Sequence, residues 1–237
     1  MLSIQEGQYT FPMYIEEEDD NIYIYVGNAK KKKAPCIRIW IYKKQDAILD
    51  DLVYLPHCSV SEKQLQKGNG SVVIMLQSVL KWLINKYEFV QEVEFSDESY
   101  FKTKNGNILL AEKGVLTEGR TWYMKHFGAE PSTATAVAMY QSFKSVHDKH
   151  KKEIFTLDKD IWLQSNLHVL YTTFPSINGK RISGTTWKIK KDTINGYNVN
   201  PVELQIEGGR QTGENLKKLY LDNKKYVLHK KVFVLGL

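Results

Sequence analysis

Cysteine is almost missing from this chain: Cys36 and Cys58 are the only two among 237 residues. Two cysteines make no disulfide framework, so a reducing compartment and free thiols are expected, with pairing possible only across neighbouring strands. Long apolar runs are missing as well. The longest candidate, residues 72–76, is broken by Gln77 and Ser78, far short of the roughly eighteen consecutive apolar residues a membrane helix needs. The opening MLSIQEGQYTF has neither the basic region nor the apolar stretch of a signal peptide. These absences predict a soluble, cytoplasmic protein without membrane contact. Arginine is scarce: Arg38, Arg120, Arg181 and Arg210 stand alone among lysines. Reading DNA bases favours the planar guanidinium fork, so sequence-specific DNA recognition is disfavoured.

Several catalytic signatures are also lacking. No Gly-x-x-x-x-Gly-Lys-Ser/Thr, Gly-x-Ser-x-Gly, HExxH or paired CxxC occurs. The six histidines are scattered, and His147 with His150 on one helix face have no cysteine or carboxylate pair beside them, so no metal is expected. His57 and Cys58 are adjacent, and neighbours on a strand point to opposite faces, which excludes a thiol–imidazole dyad there.

What is present suffices for a packed core: hydrophobic residues make up 42% and aromatic residues 12%. The net charge of +6 is uneven, with 18 Lys and Arg against 19 Asp and Glu in residues 1–150, and 15 against 8 in residues 151–237. A basic back half points either to a solvated lysine face or to nucleic acid and acidic partners. Lys188, Lys190 and Lys191 beside Trp187, and lysine pairs from Lys217 to Lys231, interleave cations with aromatics.

Periodicity gives the order of elements. Residues 21–26 and 36–42 alternate as two strands around a charged tip at 30–33, and a third extended run covers 49–55. Their short connections predict antiparallel neighbours. Gly68-Asn69-Gly70-Ser71 then opens a helix to residue 87, with Val72, Leu76, Val79, Leu80 and Leu83 at helical spacing. Residues 89–95 read as a strand, 107–118 as a helix ended by Gly119, and 121–127 as a strand or extended segment. Ser132 or Thr133 caps a helix reaching about residue 151. The strand–helix–strand alternation in the middle predicts at least one parallel pair. Further back, 185–190, 202–206 and 226–235 read as strands and 214–221 as a helix. We expect a mixed α/β (α+β) sheet domain over 1–153 and a smaller basic α+β unit over 154–237.

Around this glycine turn the chain resembles the GNAT acetyltransferases. In that family a turn of the form Gln/Arg-x-x-Gly-x-Gly/Ala lets backbone N–H groups hold the pyrophosphate of acetyl-CoA. The corresponding stretch is Lys67-Gly68-Asn69-Gly70-Ser71-Val72, where Lys67 replaces Gln/Arg and Val72 the small final residue. The family also carries a Tyr followed by Gly-Phe, and that Tyr protonates the leaving thiolate. Here Tyr123 is followed by Phe127-Gly128 in reversed order, and Ala111 stands upstream. The resemblance covers about residues 20–130. The stretch Gly119-Arg120-Thr121-Trp122-Tyr123 is in addition similar to uncharacterised proteins of large DNA viruses, which implies host cytoplasm or virion as the location.

The resemblance implies acetyl-CoA as cofactor, with Lys67, Gly68, Asn69, Gly70 and Ser71 at the phosphates, Tyr123 as acid, and His57 or Glu94 as the base for an amine substrate. Asp97 and Glu98 are read as loop-solvating. Three functions stay open: an N-acetyltransferase, a catalytically inactive GNAT-fold protein acting through a protein partner, and non-specific nucleic-acid binding through the basic C-terminal half.

Overall fold

The computed structural model describes residues 2–27, 35–42, 45–52, 70–103, 106–156 and 172–205. They fall almost entirely within one compact unit, Leu2–Leu204. Among the described residues there are eleven strands: β1 Leu2–Glu6, β2 Tyr9–Glu18, β3 Asn21–Val26, β4 Ile37–Ile41, β5 Ala47–Leu52, β6 Glu92–Ser96, β7 Tyr100–Thr103, β8 Gly106–Leu109, β9 Glu130–Pro131, β10 Thr186–Lys190 and β11 Val202–Gln205. The helices are α1 Ser71–Lys86, α2 Leu110–Glu118, α3 Trp122–Phe127, α4 Ala134–Thr156 and the one-turn α5 Lys191–Asn195.

Nine strands form one sheet in the order β11-β1-β2-β3-β4-β5-β6-β10-β9, and β7 and β8 pair separately. The class is the expected one: a mixed sheet flanked by helices. The sheet is antiparallel from β1 to β5, then parallel at β5–β6, then antiparallel again through β10 and β9. A parallel pair needs a long crossover, and α1 lies between β5 and β6 in the chain. β10 lies between β6 and β9, so strands from both sides of residue 153 share this sheet.

Period-two alternation divides the sheet into two faces. Ile24, Ile39, Leu49, Val93, Phe95, Trp187 and Ile189 point into the core with α1, while Tyr23, Trp40, Ile48, Glu94 and Lys188 face away. The apolar stripe of α1 is buried: Met75, Leu76, Val79, Leu80 and Leu83 are fully inaccessible. This is the helix that the sequence spacing predicts.

Other expectations need correction. Residues 121–127 are a helix, because Thr121 Oγ1 accepts the Met124 N–H as an N-cap and Gly128 closes the turn at φ 62°. The helix expected over 107–118 starts only at Leu110, and the residues before it form the β7–β8 hairpin. Strands β1 and β2, unforeseen, extend the sheet beyond β3. At α4 the expected cap holds: Thr133 Oγ1 accepts the Ala136 N–H. The helix is broken at His150, where φ is −117°. Cys36, buried at the start of β4, is disulfide-bonded rather than the expected free thiol. Cys58, the 30–33 tip and the elements expected at 214–221 and 226–235 lie outside the described residues.

Candidate functional site

Among the described residues, β5 and β6 form the parallel pair of this sheet. β5 and β6 pair only over Ala47↔Val93, Ile48↔Glu94 and Leu49↔Phe95. At the same level β5 bulges against β4: Ile39 pairs with Leu49, but Arg38 pairs with Asp51, leaving Asp50 as the extra residue. A bulge bends its strand and raises the local twist. The pairing of β5 with β6 thus stops just where β5 departs from regularity.

In the chain α1 is the crossover from β5 to β6, so it begins after the carboxyl end of β5. Gly70 precedes that turn with φ 75° and ψ 2°, a left-handed conformation suited to glycine. No side chain caps α1, and its first turn holds no acid. The positive end of the helix dipole therefore has no negative side chain of its own to satisfy it. Ser71 is fully buried, and Val72 packs against the core. Gly70 is solvent-exposed, and a Cβ built on it would meet nothing within 4 Å.

Tyr123 lies on α3. Its ring lies 4.4 Å from that of Phe95, the last β6 residue in register with β5, and is 9% exposed. Trp122 and Phe127 flank it at 5.0 and 5.9 Å. Gln77 of α1 donates to the His126 carbonyl at 3.0 Å and ties α1 to α3. At the far end of α3, Tyr197 donates its hydroxyl to the Phe127 carbonyl at 2.8 Å.

Of the expected site residues, Ser71 and Tyr123 are buried and Gly70 is exposed at the start of α1. Lys67, Gly68, Asn69 and His57 lie outside the described residues. Glu94 is on the other side of the sheet, in register with Ile48 and Lys188. It alternates with Phe95, so it cannot face the Tyr123 ring that packs on Phe95.

The carboxylate on the Tyr123 side is Asp97, two residues beyond Phe95 and 4% exposed. It does not solvate a loop. Asp97 Oδ1 accepts the Ser99 N–H at 3.1 Å and the Ser99 hydroxyl, and burial holds its pKa above the usual carboxylate value despite those bonds. Glu112 of α2, fully buried, accepts the N–H groups of Ile182 and Ser183 at 2.8 Å each through Oε1. Its pKa is raised too, first by burial, with the nearby Asp97 charge adding to it. Sequence reading missed Glu112, while the parity of Val93, Phe95 and Asp97 was a legible signal for Asp97.

Lysines of the back half are engaged locally. Lys188 pairs with Glu92 at 2.8 Å, Lys190 with Glu130 at 2.6 Å, and Lys191 donates to the Glu88 carbonyl. The lysines from Lys217 to Lys231 lie outside the described residues. Among the described residues, no group of three or more His, Cys, Asp or Glu is placed to hold a metal, and no helix is long and apolar enough to cross a membrane.

The sheet order and its flanking helices define a mixed α+β protein. The chain matches no family model, no curated protein and no solved structure.

Proposed function

We propose that this chain is a GNAT-like protein that binds acetyl-CoA at the carboxyl end of the β5–β6 pair and transfers its acetyl group to an amine. The reading is supported by three features of the β5–α1–β6 unit and the helix packed on β6. These are the β5 bulge, an α1 N-terminus with neither side-chain cap nor first-turn acid, and Tyr123 stacked on Phe95. A pyrophosphate suits backbone N–H groups at a helix start, and Val72, which departs from the family pattern, packs against the core. Bound there, acetyl-CoA would supply an activated thioester. The first-turn backbone of α1 holds the phosphates, Tyr123 donates a proton to the departing sulfur, and Asp97 takes the place expected of Glu94 in accepting the amine proton.

A second reading, an inactive GNAT-fold interaction protein, is favoured by one observation: the two buried acids, Asp97 and Glu112, are already hydrogen-bonded. Calorimetry with acetyl-CoA, followed by thiol release in the presence of a panel of polyamines and lysine peptides, separates the two. Binding with turnover that Tyr123→Phe abolishes supports the enzyme. Binding without turnover refutes the enzyme, and no binding at all is the outcome the inactive scaffold predicts.

A further inference from the structure

A buried acid makes the joint between α2 and the chain entering β10. Glu112 Oε1 receives two consecutive backbone N–H groups, from Ile182 and Ser183. Its Oε2 is buried and has no hydrogen-bond partner. The same turn is held from β6 by the Gly184 N–H donating to the Asp97 carbonyl at 3.1 Å. The turn folds on itself through Thr185, whose N–H and hydroxyl both donate to the Ile182 carbonyl. Trp187, the fully buried anchor of β10, donates its indole N–H to Thr185 Oγ1 at 3.1 Å. One carboxyl oxygen thus sits at the head of the path that sets the entry of β10 between β6 and β9.

We propose that Glu112 is a proton-gated latch: as a neutral acid it pins the Ile182–Ser183 turn to α2, and on ionisation it loosens that turn and the entry to β10. The bare Oε2 is what makes the latch sensitive. A buried, unpartnered carboxylate oxygen is tolerable when the group is neutral and costly when it carries charge. The side chains around Glu112 give the anion no relief. Asp97, from the end of β6, is a second buried acid whose charge opposes ionisation. From α4, His147 directs Nδ1 to the Leu116 carbonyl, and Lys144 is paired with Asp148. In the turn itself Lys180 reaches Ser142, and Arg181 is exposed. On α2, Lys113 is half-buried one position along and Glu118 pairs with Lys125. The two backbone N–H donors favour the anion, but burial outweighs them.

The test is amide exchange by NMR on the full chain from pH 5 to 9, with protection factors corrected for intrinsic exchange. Protection at Ile182, Ser183 and Gly184 should fall by up to about tenfold per pH unit once Glu112 begins to ionise. Amides of β3 and β4 should stay flat. Glu112→Gln, a neutral isostere, should keep protection constant across the range. A side-chain carboxyl titration of Glu112 in the unsubstituted protein gives a readout that does not depend on the variant folding, and its midpoint should coincide with the onset of the loss. Constant protection while Glu112 titrates, or the same loss in a folded Glu112→Gln protein, overturns the latch.

Discussion

Gly128 closes α3 at φ 62°, and a Cβ placed there would lie 2.7 Å from Thr193 Cγ2 of α5. Two costs are therefore stacked in Gly128→Ala. The left-handed backbone conformation costs an alanine about 1–2 kcal/mol. The contact with a β-branched methyl on a helical residue cannot be relieved by a distant rotation, and overpacking of this kind costs about 1–3 kcal/mol. Together the variant should lose about 2–5 kcal/mol. Thr193→Ser removes only the clashing methyl, so in that background Gly128→Ala should cost just the backbone part. A four-member cycle measured by urea denaturation should show a coupling of about 1–3 kcal/mol in the direction of relief. If the two substitutions add without coupling, α5 does not pack against the end of α3 as described.

Gly70 makes the contrast, since a Cβ there meets nothing and only the left-handed backbone is strained. Gly70→Ala should destabilise by about 1–2 kcal/mol and Gly70→Asn by less, because asparagine tolerates that conformation. Melting curves with equal losses for both would contradict it. Tyr197→Phe removes a buried hydroxyl that donates to the Phe127 carbonyl. It should cost about 1–2 kcal/mol, and an unchanged denaturation midpoint would refute the bond. Asp97 holds its proton more strongly folded than unfolded, so its contribution favours folding at low pH and is lost as pH rises above the ordinary carboxylate range. Asp97→Asn should therefore flatten the stability profile on that alkaline side; an identical slope in the variant would exclude burial as the cause.

Much of the architecture was written in alternation and spacing. The β3 and β4 strands, α1 and the β10 strand declare themselves because one face of each is buried and the other is not. Helix α3 misled for a physical reason. Its aromatic content favours a strand, and only the Thr121 cap and the left-handed Gly128 make six residues helical. β1 and β2 hid because Pro12 and a run of glutamates interrupt the expected strand composition, although Phe11 and Met13 are fully buried. At the candidate site, glycine and tyrosine were visible by motif. Glu94 lies one step of a period-two pattern from Phe95 and so on the other face. The role of Glu112 was not legible, because its only announcement is a pair of backbone N–H groups 70 and 71 residues away.

Acetyl-CoA binding at the α1 N-terminus is the central claim, and calorimetric titration tests it most directly, with desulfo-CoA and a Gly70→Trp variant as controls. The account predicts micromolar binding of both CoA ligands, because the phosphates rather than the sulfur are held there. It also predicts that the bulky side chain at the helix start abolishes that binding while the variant stays folded. Absence of heat at high ligand concentration, or binding that is unchanged in a folded Gly70→Trp protein, would contradict it.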